Sequence, residues 1–145
     1  MHAIDRSVLV GYSADQIYTL VDCVEDYPCF LPWCGGTEVH ARDDVETRAA
    51  ITIDFKGIRQ RFATANRKQR PRFIEMRLVE GPFRSLEGVW RFHTLSDEAC
   101  KVELSLRYEF ASRLLERLVG PAFEHIASTF VDRFVERAAQ VYGPR

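Results

Sequence analysis

Residues 102–138 read VELSLRYEFASRLLERLVGPAFEHIASTFVDRFVERA, and the fold is decided inside this stretch. Its first part alternates strictly. Val102, Leu104, Leu106, Tyr108 and Phe110 share one parity, while Glu103, Arg107 and Glu109 take the other. That period of two is a strand with one covered face. The period then changes. Leu114, Leu115, Leu118 and Val119 form a short helical turn set, interrupted at Gly120-Pro121, where a kink or restart is expected. Beyond it Phe123, Ile126, Ala127, Phe130, Phe134 and Ala138 recur every 3.6 residues, and Gly143-Pro144 ends the run. About 22 residues at 1.5 Å each make a helix of roughly 33 Å, long enough to cross a whole sheet.

Working back toward the N-terminus, turn signals at Asp43-Asp44, Lys56-Gly57, Arg70-Pro71, Gly81-Pro82 and Ser96-Asp97 separate six strand-sized runs. Ile51, Ile53 and Phe55 share a parity, as do Phe62, Thr64 and Asn66, then Ile74, Met76 and Leu78, then Leu86, Trp90 and Phe92. Opposite parities carry mixed charge, including Arg59, Arg61 and Arg67. Ile4 to Gly11 adds a first strand. Ser13 and Gln16 match a capping box, Tyr12 and Ile17 a hydrophobic staple, and Ile17, Leu20, Val21 and Val24 one buried face of a helix that stops near Asp26. These elements predict a single α+β domain over residues 1–145. Its seven-stranded antiparallel sheet curls around the long C-terminal helix, a helix-grip arrangement.

The stretch Tyr27-Pro28-Cys29-Phe30-Leu31-Pro32-Trp33-Cys34 fits neither a continuous helix nor a central strand, because two prolines bias its backbone. Tyr27, Phe30, Leu31 and Trp33 therefore cover a core as a buried connector, or form the lip of an apolar site. A flat helix on a curved sheet leaves space at one end unless bulky residues fill it. The candidates around that space are Phe55, Phe62, Met76, Leu86, Trp90, Phe92 and Tyr108 from the sheet, with Phe123, Ile126, Phe130 and Phe134 from the helix. Trp90 and Phe92 are expected to line the cavity and the Tyr27–Trp33 segment to gate it. Thr64 and Asn66 supply a polar pair on the same face, the pattern of a small-molecule site.

The 145 residues carry 20 Lys and Arg against 21 Asp and Glu, a balance that argues against a dedicated nucleic-acid-binding domain. The distribution is uneven, however. Between Asp54 and Glu75 the charged residues are Lys56, Arg59, Arg61, Arg67, Lys68, Arg70 and Arg72, all basic. They either contact phosphate, as nucleic-acid-binding candidates, or form the solvated side of a sheet. Cys23, Cys29, Cys34 and Cys100 lack zinc or redox spacing and read as buried thiols. His2, His40, His93 and His125 are scattered. No nucleophile elbow, phosphate-cradling loop or paired inward carboxylates occur, so no catalytic or metal-binding residue is assigned. The N-terminus lacks a secretory pattern and no run suits a membrane span, so a cytoplasmic location with at most transient membrane contact is expected.

The motifs Ile4-x-Arg6-Ser7, Val10-x-Tyr12-Ser13-Ala14, Tyr27-Pro28-x-Phe30-Leu31-Pro32-Trp33-Cys34, Gly81-Pro82-Phe83-x-x-Leu86-x-Gly88-x-Trp90-x-Phe92, Cys100-Lys101-Val102, Tyr108-Glu109-Phe110 and Val141-Tyr142-Gly143 cover nearly the whole chain. In them the chain resembles the bacterial RatA proteins. These belong with the coenzyme Q-binding START-like proteins in the SRPBCC superfamily, a group also labelled polyketide (oligoketide) cyclase/dehydrase. The resemblance implies a START/Bet v 1-like fold. It also implies one of three activities. First comes non-enzymatic binding of ubiquinone or a related isoprenoid lipid in support of respiration, with no cofactor required. Second is a ribosome-association toxin that binds the large subunit and blocks subunit joining. Third is a cyclase-type enzyme. The aromatic pocket suits the first, the basic block the second.

Overall fold

The computed structural model describes residues 1–145. Strand β1 (His2–Val10) leads into helix α1 (Ala14–Asp22) and a 3-10 segment (Val24–Cys29). Six strands follow: β2 (Cys34–Arg42), β3 (Glu46–Phe55), β4 (Ile58–Gln69), β5 (Phe73–Glu80), β6 (Phe83–Ser96) and β7 (Ala99–Phe110). Helix α2 (Arg113–Tyr142) ends the chain. The seven strands form one sheet in the order β1-β7-β6-β5-β4-β3-β2, antiparallel throughout. Each neighbour in sequence is thus a neighbour in space, except that β1 returns to pair with β7.

The periodicities explain this arrangement. Along β7 every second residue from Cys100 to Phe110 is buried, and β4 turns Phe62, Thr64 and Asn66 toward the helix. The β3–β4 hairpin closes through Lys56 and Gly57, both at positive φ (49° and 82°), the two-residue geometry that matches strand twist. Register shifts between Cys34 and Gly36, Val39 and Ala41, Ala63 and Thr64, and Phe83 and Ser85 bend the sheet around α2. Ser13 and Gln16 form the capping box. Tyr12 Oη donates to the Gly143 carbonyl at 2.7 Å, joining the start of α1 to the end of α2.

Three local expectations are corrected. Helix α1 ends at Asp22, not near Asp26, and the chain continues as a 3-10 segment that contains Pro28 near its end. Helix α2 runs unbroken through Pro121 over 30 residues, about 45 Å, with no restart. Pro121 and Arg117 both lie on the exposed face, so water satisfies the carbonyl that proline leaves unpaired. Finally, Cys29 is exposed and Cys23 and Cys34 are only half-buried; Cys100 alone is a buried thiol.

Candidate functional site

A cavity of about 70 Å³ lies between the concave face of the sheet and α2, and fifteen of its seventeen lining residues are hydrophobic. Phe62, Thr64, Asn66, Met76 and Leu86 contribute from the sheet, Phe123, Ile126 and Phe130 from α2, and Tyr27 and Trp33 from the proline-stiffened segment. Those ten candidates are brought together. Val24, Ala49, Ile51, Ile53, Leu104, Leu106 and Ala127 complete the wall. The isoleucines and leucines carried a legible signal in their inward parity. Ala49 and Ala127 also fall on the inward faces, but nothing local marks them as cavity residues: they matter because they are small, and the space exists where a larger side chain would have filled it.

Seven candidates lie elsewhere. Trp90 and Phe92 do not line the cavity; they stack on each other 6.2 Å apart, and Phe92 meets Tyr18 of α1 edge-on. Helix α1 covers that end of the sheet, so the widest aromatics fill solid core. Tyr108 packs between Phe83, Phe110 and Phe123. Phe134 closes against Trp90, Tyr27 and Phe30. Phe30 is half-buried between Tyr27, Phe134 and the Arg137 guanidinium, Leu31 is buried away from the cavity, and Phe55 stacks on His125 at the rim of the sheet.

The Tyr27–Cys34 segment is held rather than loose. The Tyr27 hydroxyl donates to the Val21 carbonyl at 2.5 Å, satisfying one of the carbonyls that a helix C-terminus leaves open. The N–H groups of Leu31 and Cys34 bond to the carbonyls of Tyr27 and Leu31, and the Trp33 carbonyl accepts from the Asp54 N–H at 2.8 Å. The segment forms an inner wall pinned to β3.

Polar chemistry in the cavity is sparse. The Thr64 hydroxyl donates to Asn66 Oδ1 at 2.8 Å, so the polar pair largely satisfies itself. Trp33 Nε1 is buried without a hydrogen-bond partner, leaving a donor on a residue of the wall. Tyr27 is the one lining side chain whose hydroxyl titrates, and burial, reinforced by the Asp22 charge, pushes it well above the ordinary tyrosine range. It therefore stays a neutral phenol at physiological pH. Nothing in the wall exchanges protons near neutrality, and the arrangement suits enclosure of an apolar group more than acid–base chemistry.

The basic block is dispersed by the fold. Lys68 points inward; its side chain is 4% exposed and Nζ lies 2.9 Å from Asp22 Oδ1. Inward parity with Asn66 places it there, so it leaves the set of phosphate-facing candidates. Arg70 pairs with Asp15 and lies 4.4 Å over the Tyr18 ring. Arg61 bridges Glu38 and Glu80, and Arg59 pairs with Asp54. Arg72 reaches Gln69, and Arg67 is exposed on the outer face. Apart from Asp54, across the hairpin from Arg59, the acids that neutralise the block come from strands and a helix farther along the chain. No group of three or more His, Cys, Asp or Glu side chains is arranged to hold a metal ion. No helix is long and apolar enough to cross a membrane.

Residues 10–135 match the family model described as polyketide cyclase / dehydrase and lipid transport. The chain belongs to this family. Within it, the chain is 41% identical over 140 residues to the ribosome association toxin RatA of Pseudomonas aeruginosa, covering 97% of each chain. It is 28% identical to the mitochondrial coenzyme Q-binding protein COQ10 homolog B of Xenopus laevis, over 95% of this chain and 58% of that protein. A START superfamily protein from Mycobacterium smegmatis shares the fold with a TM-score of 0.77 at 21% identity, covering 97% of this chain and 99% of that one. The family thus spans lipid handling, enzymic ring closure and ribosome association by name. Its helix-grip scaffold is the one seen here.

Proposed function

We propose that this protein associates with the ribosome, contacting the large subunit through arginines on the outer face of β4. The observation that carries the proposal is the 41% identity, end to end, with proteins named ribosome association toxins. The pairing of Arg59 and Arg61 with carboxylates does not remove them as contacts, since exposed pairs contribute only about 0–1 kcal/mol and yield readily to a phosphate. Arg67 is exposed on the same face. Co-sedimentation of the purified protein with large subunits tests this. Binding should weaken steeply with salt, and each arginine changed to Glu among Arg59, Arg61 and Arg67 should flatten the log–log slope by about one. Unchanged slope in the triple variant would exclude this face.

A second reading is supported by the cavity: it holds a hydrophobic ligand, of the quinone-bearing isoprenoid class that the coenzyme Q-binding relative suggests. An apolar cavity of about 150 Å³ accepts benzene, so 70 Å³ must widen before a substituted ring enters. The phenylalanine-rich contact with α2 is where that widening would occur. In this reading the protein acts as a carrier or sensor of that ligand. Lipid extraction of gently purified protein, followed by mass spectrometry, should recover a quinone-type lipid at close to one per chain. Recovery of none would leave the cavity as unfilled core.

A further inference from the structure

Beside the rim of the sheet where β3 turns into β4, apolar side chains stand without cover. Leu114 and Leu118, one turn apart on α2, are 65% and 55% exposed. A groove of about 250 Å³ separates them from the hairpin, with Phe55, Ile58, Leu118, Pro121 and His125 in its walls. The Phe55 and His125 rings stack across it, 5.4 Å apart and 13° from parallel. Ile53, two residues before Phe55 on β3, and Ile126, next to His125 on α2, belong to the cavity wall. The groove therefore abuts the cavity, with a single pair of stacked rings at the boundary.

The charges nearest the leucines and the hairpin tip are mostly basic. Lys56 sits at the hairpin tip over the Phe55 ring, 5.3 Å from its centroid. Arg113 and Arg117 are exposed on the adjoining flank of α2. None of these three enters an ion pair, whereas Glu116 is engaged by His2 and Asp54 by Arg59. Glu124 is exposed beside His125 and enters no ion pair, so the groove carries one acid at its far end, two turns beyond Arg117. Protruding aliphatic side chains ringed by unpaired cations match the boundary between acyl chains and anionic headgroups, where long basic side chains keep their charge in the polar layer.

We propose that this end of the molecule docks on an anionic lipid bilayer. Leu114, Leu118 and the β3–β4 hairpin tip enter the acyl boundary, with Lys56, Arg113 and Arg117 at headgroup level. The stacked Phe55–His125 pair then faces the membrane and is the door between bilayer and cavity. As a route for cargo this rests on the hydrophobic-ligand reading; the docking itself does not. The full-length protein is sedimented with vesicles of phosphatidylcholine alone and of phosphatidylcholine mixed with phosphatidylglycerol. Binding to the mixed vesicles only is expected. Leu114→Glu with Leu118→Glu should abolish it, and Arg113→Gln with Arg117→Gln should weaken it about tenfold or more. Far-UV circular dichroism checks the fold of these surface variants.

Absence of wild-type binding to mixed vesicles overturns the proposal, as does binding that survives the double Glu variant. A monomer–dimer shift caused by that variant, with vesicle binding intact, would also overturn it by assigning the patch to a second copy of this chain. A short-tailed prenyl benzoquinone added without vesicles separates the two readings. The double Glu variant should bind this probe as wild type does, yet extract it from vesicles more slowly. If wild type does not bind the probe, the cargo reading fails while the vesicle result still decides the docking.

Discussion

The ion pair of Lys68 and Asp22 offers a quantitative test of how α1 is fastened beside the cavity. The Lys68 side chain is 4% exposed and that of Asp22 16%, with Nζ 2.9 Å from Oδ1. Breaking such a pair from one side costs about 3–5 kcal/mol when the remaining charge stays dry. The two partners are not equally dry, so the two single variants should differ. Asp22→Asn leaves an almost fully buried ammonium and should cost about 3 kcal/mol. Lys68→Met leaves a carboxylate with some access to water and should cost about 2 kcal/mol. Asp22→Leu combined with Lys68→Met removes both charges and should return to within about 1 kcal/mol of wild type. Urea unfolding followed by circular dichroism measures these values, since a slope of about 1–3 kcal/mol per molar turns them into midpoint shifts near 1–2 M. Asp22 also precedes the 3-10 segment bearing Val24 and Tyr27, so Asp22→Asn should raise amide exchange there before it does so in β6 and β7. Single variants within about 0.5 kcal/mol of wild type would show a solvated surface pair, and α1 would then be held by its apolar face alone.

Filling the cavity should separate ligand binding from folding: Ala127→Leu should abolish uptake of a prenyl benzoquinone while costing only about 1–3 kcal/mol by overpacking, and retained uptake would place the ligand elsewhere. Thr47 Oγ1 is buried without a partner, so Thr47→Val should raise stability by about 1 kcal/mol; a loss on thermal unfolding would mean that the hydroxyl is satisfied. Gly81 adopts φ 154° and a Cβ there would approach Phe62 Cβ to 2.6 Å, so Gly81→Ala should cost about 1–3 kcal/mol, again read by thermal unfolding. The Asp43 carboxylate accepts from the N–H groups of Val45 and Glu46, which hold it below the ordinary carboxylate range. A depressed carboxylate stabilises above its unfolded pKa of about 3.9, and that contribution vanishes as pH falls through the lower folded value. Asp43→Asn should therefore flatten the acid limb of stability against pH, and an unchanged limb would count against these bonds.

Local rules reach far into this molecule because every strand from β2 to β7 pairs with its neighbour in sequence. The period of two from Val102 to Phe110, the period of 3.6 from Phe123 to Ala138 and the turn at Lys56-Gly57 each depend on residues within a few positions. They therefore carry the seven strands, the long helix and the inward parity of Phe62, Thr64 and Asn66. What parity does not contain is where along the concave face the packing stops short. Trp90 and Phe92 share the inward parity of Leu86, yet Tyr18 of α1 covers Phe92 and Phe130 and Phe134 of α2 cover Trp90, while Leu86 is left on the cavity. Ala49 and Ala127 open the space by their smallness, and a small residue announces a void only when its neighbours across the core are known. Charge behaves in the same way. Seven cations without an intervening acid form a block along the chain, but the carboxylates of Asp15, Asp22, Glu38 and Glu80 reach Arg70, Lys68 and Arg61 from other elements. Electrostatic pairing acts through space over a few ångströms, and only the tertiary structure decides which charges come that close.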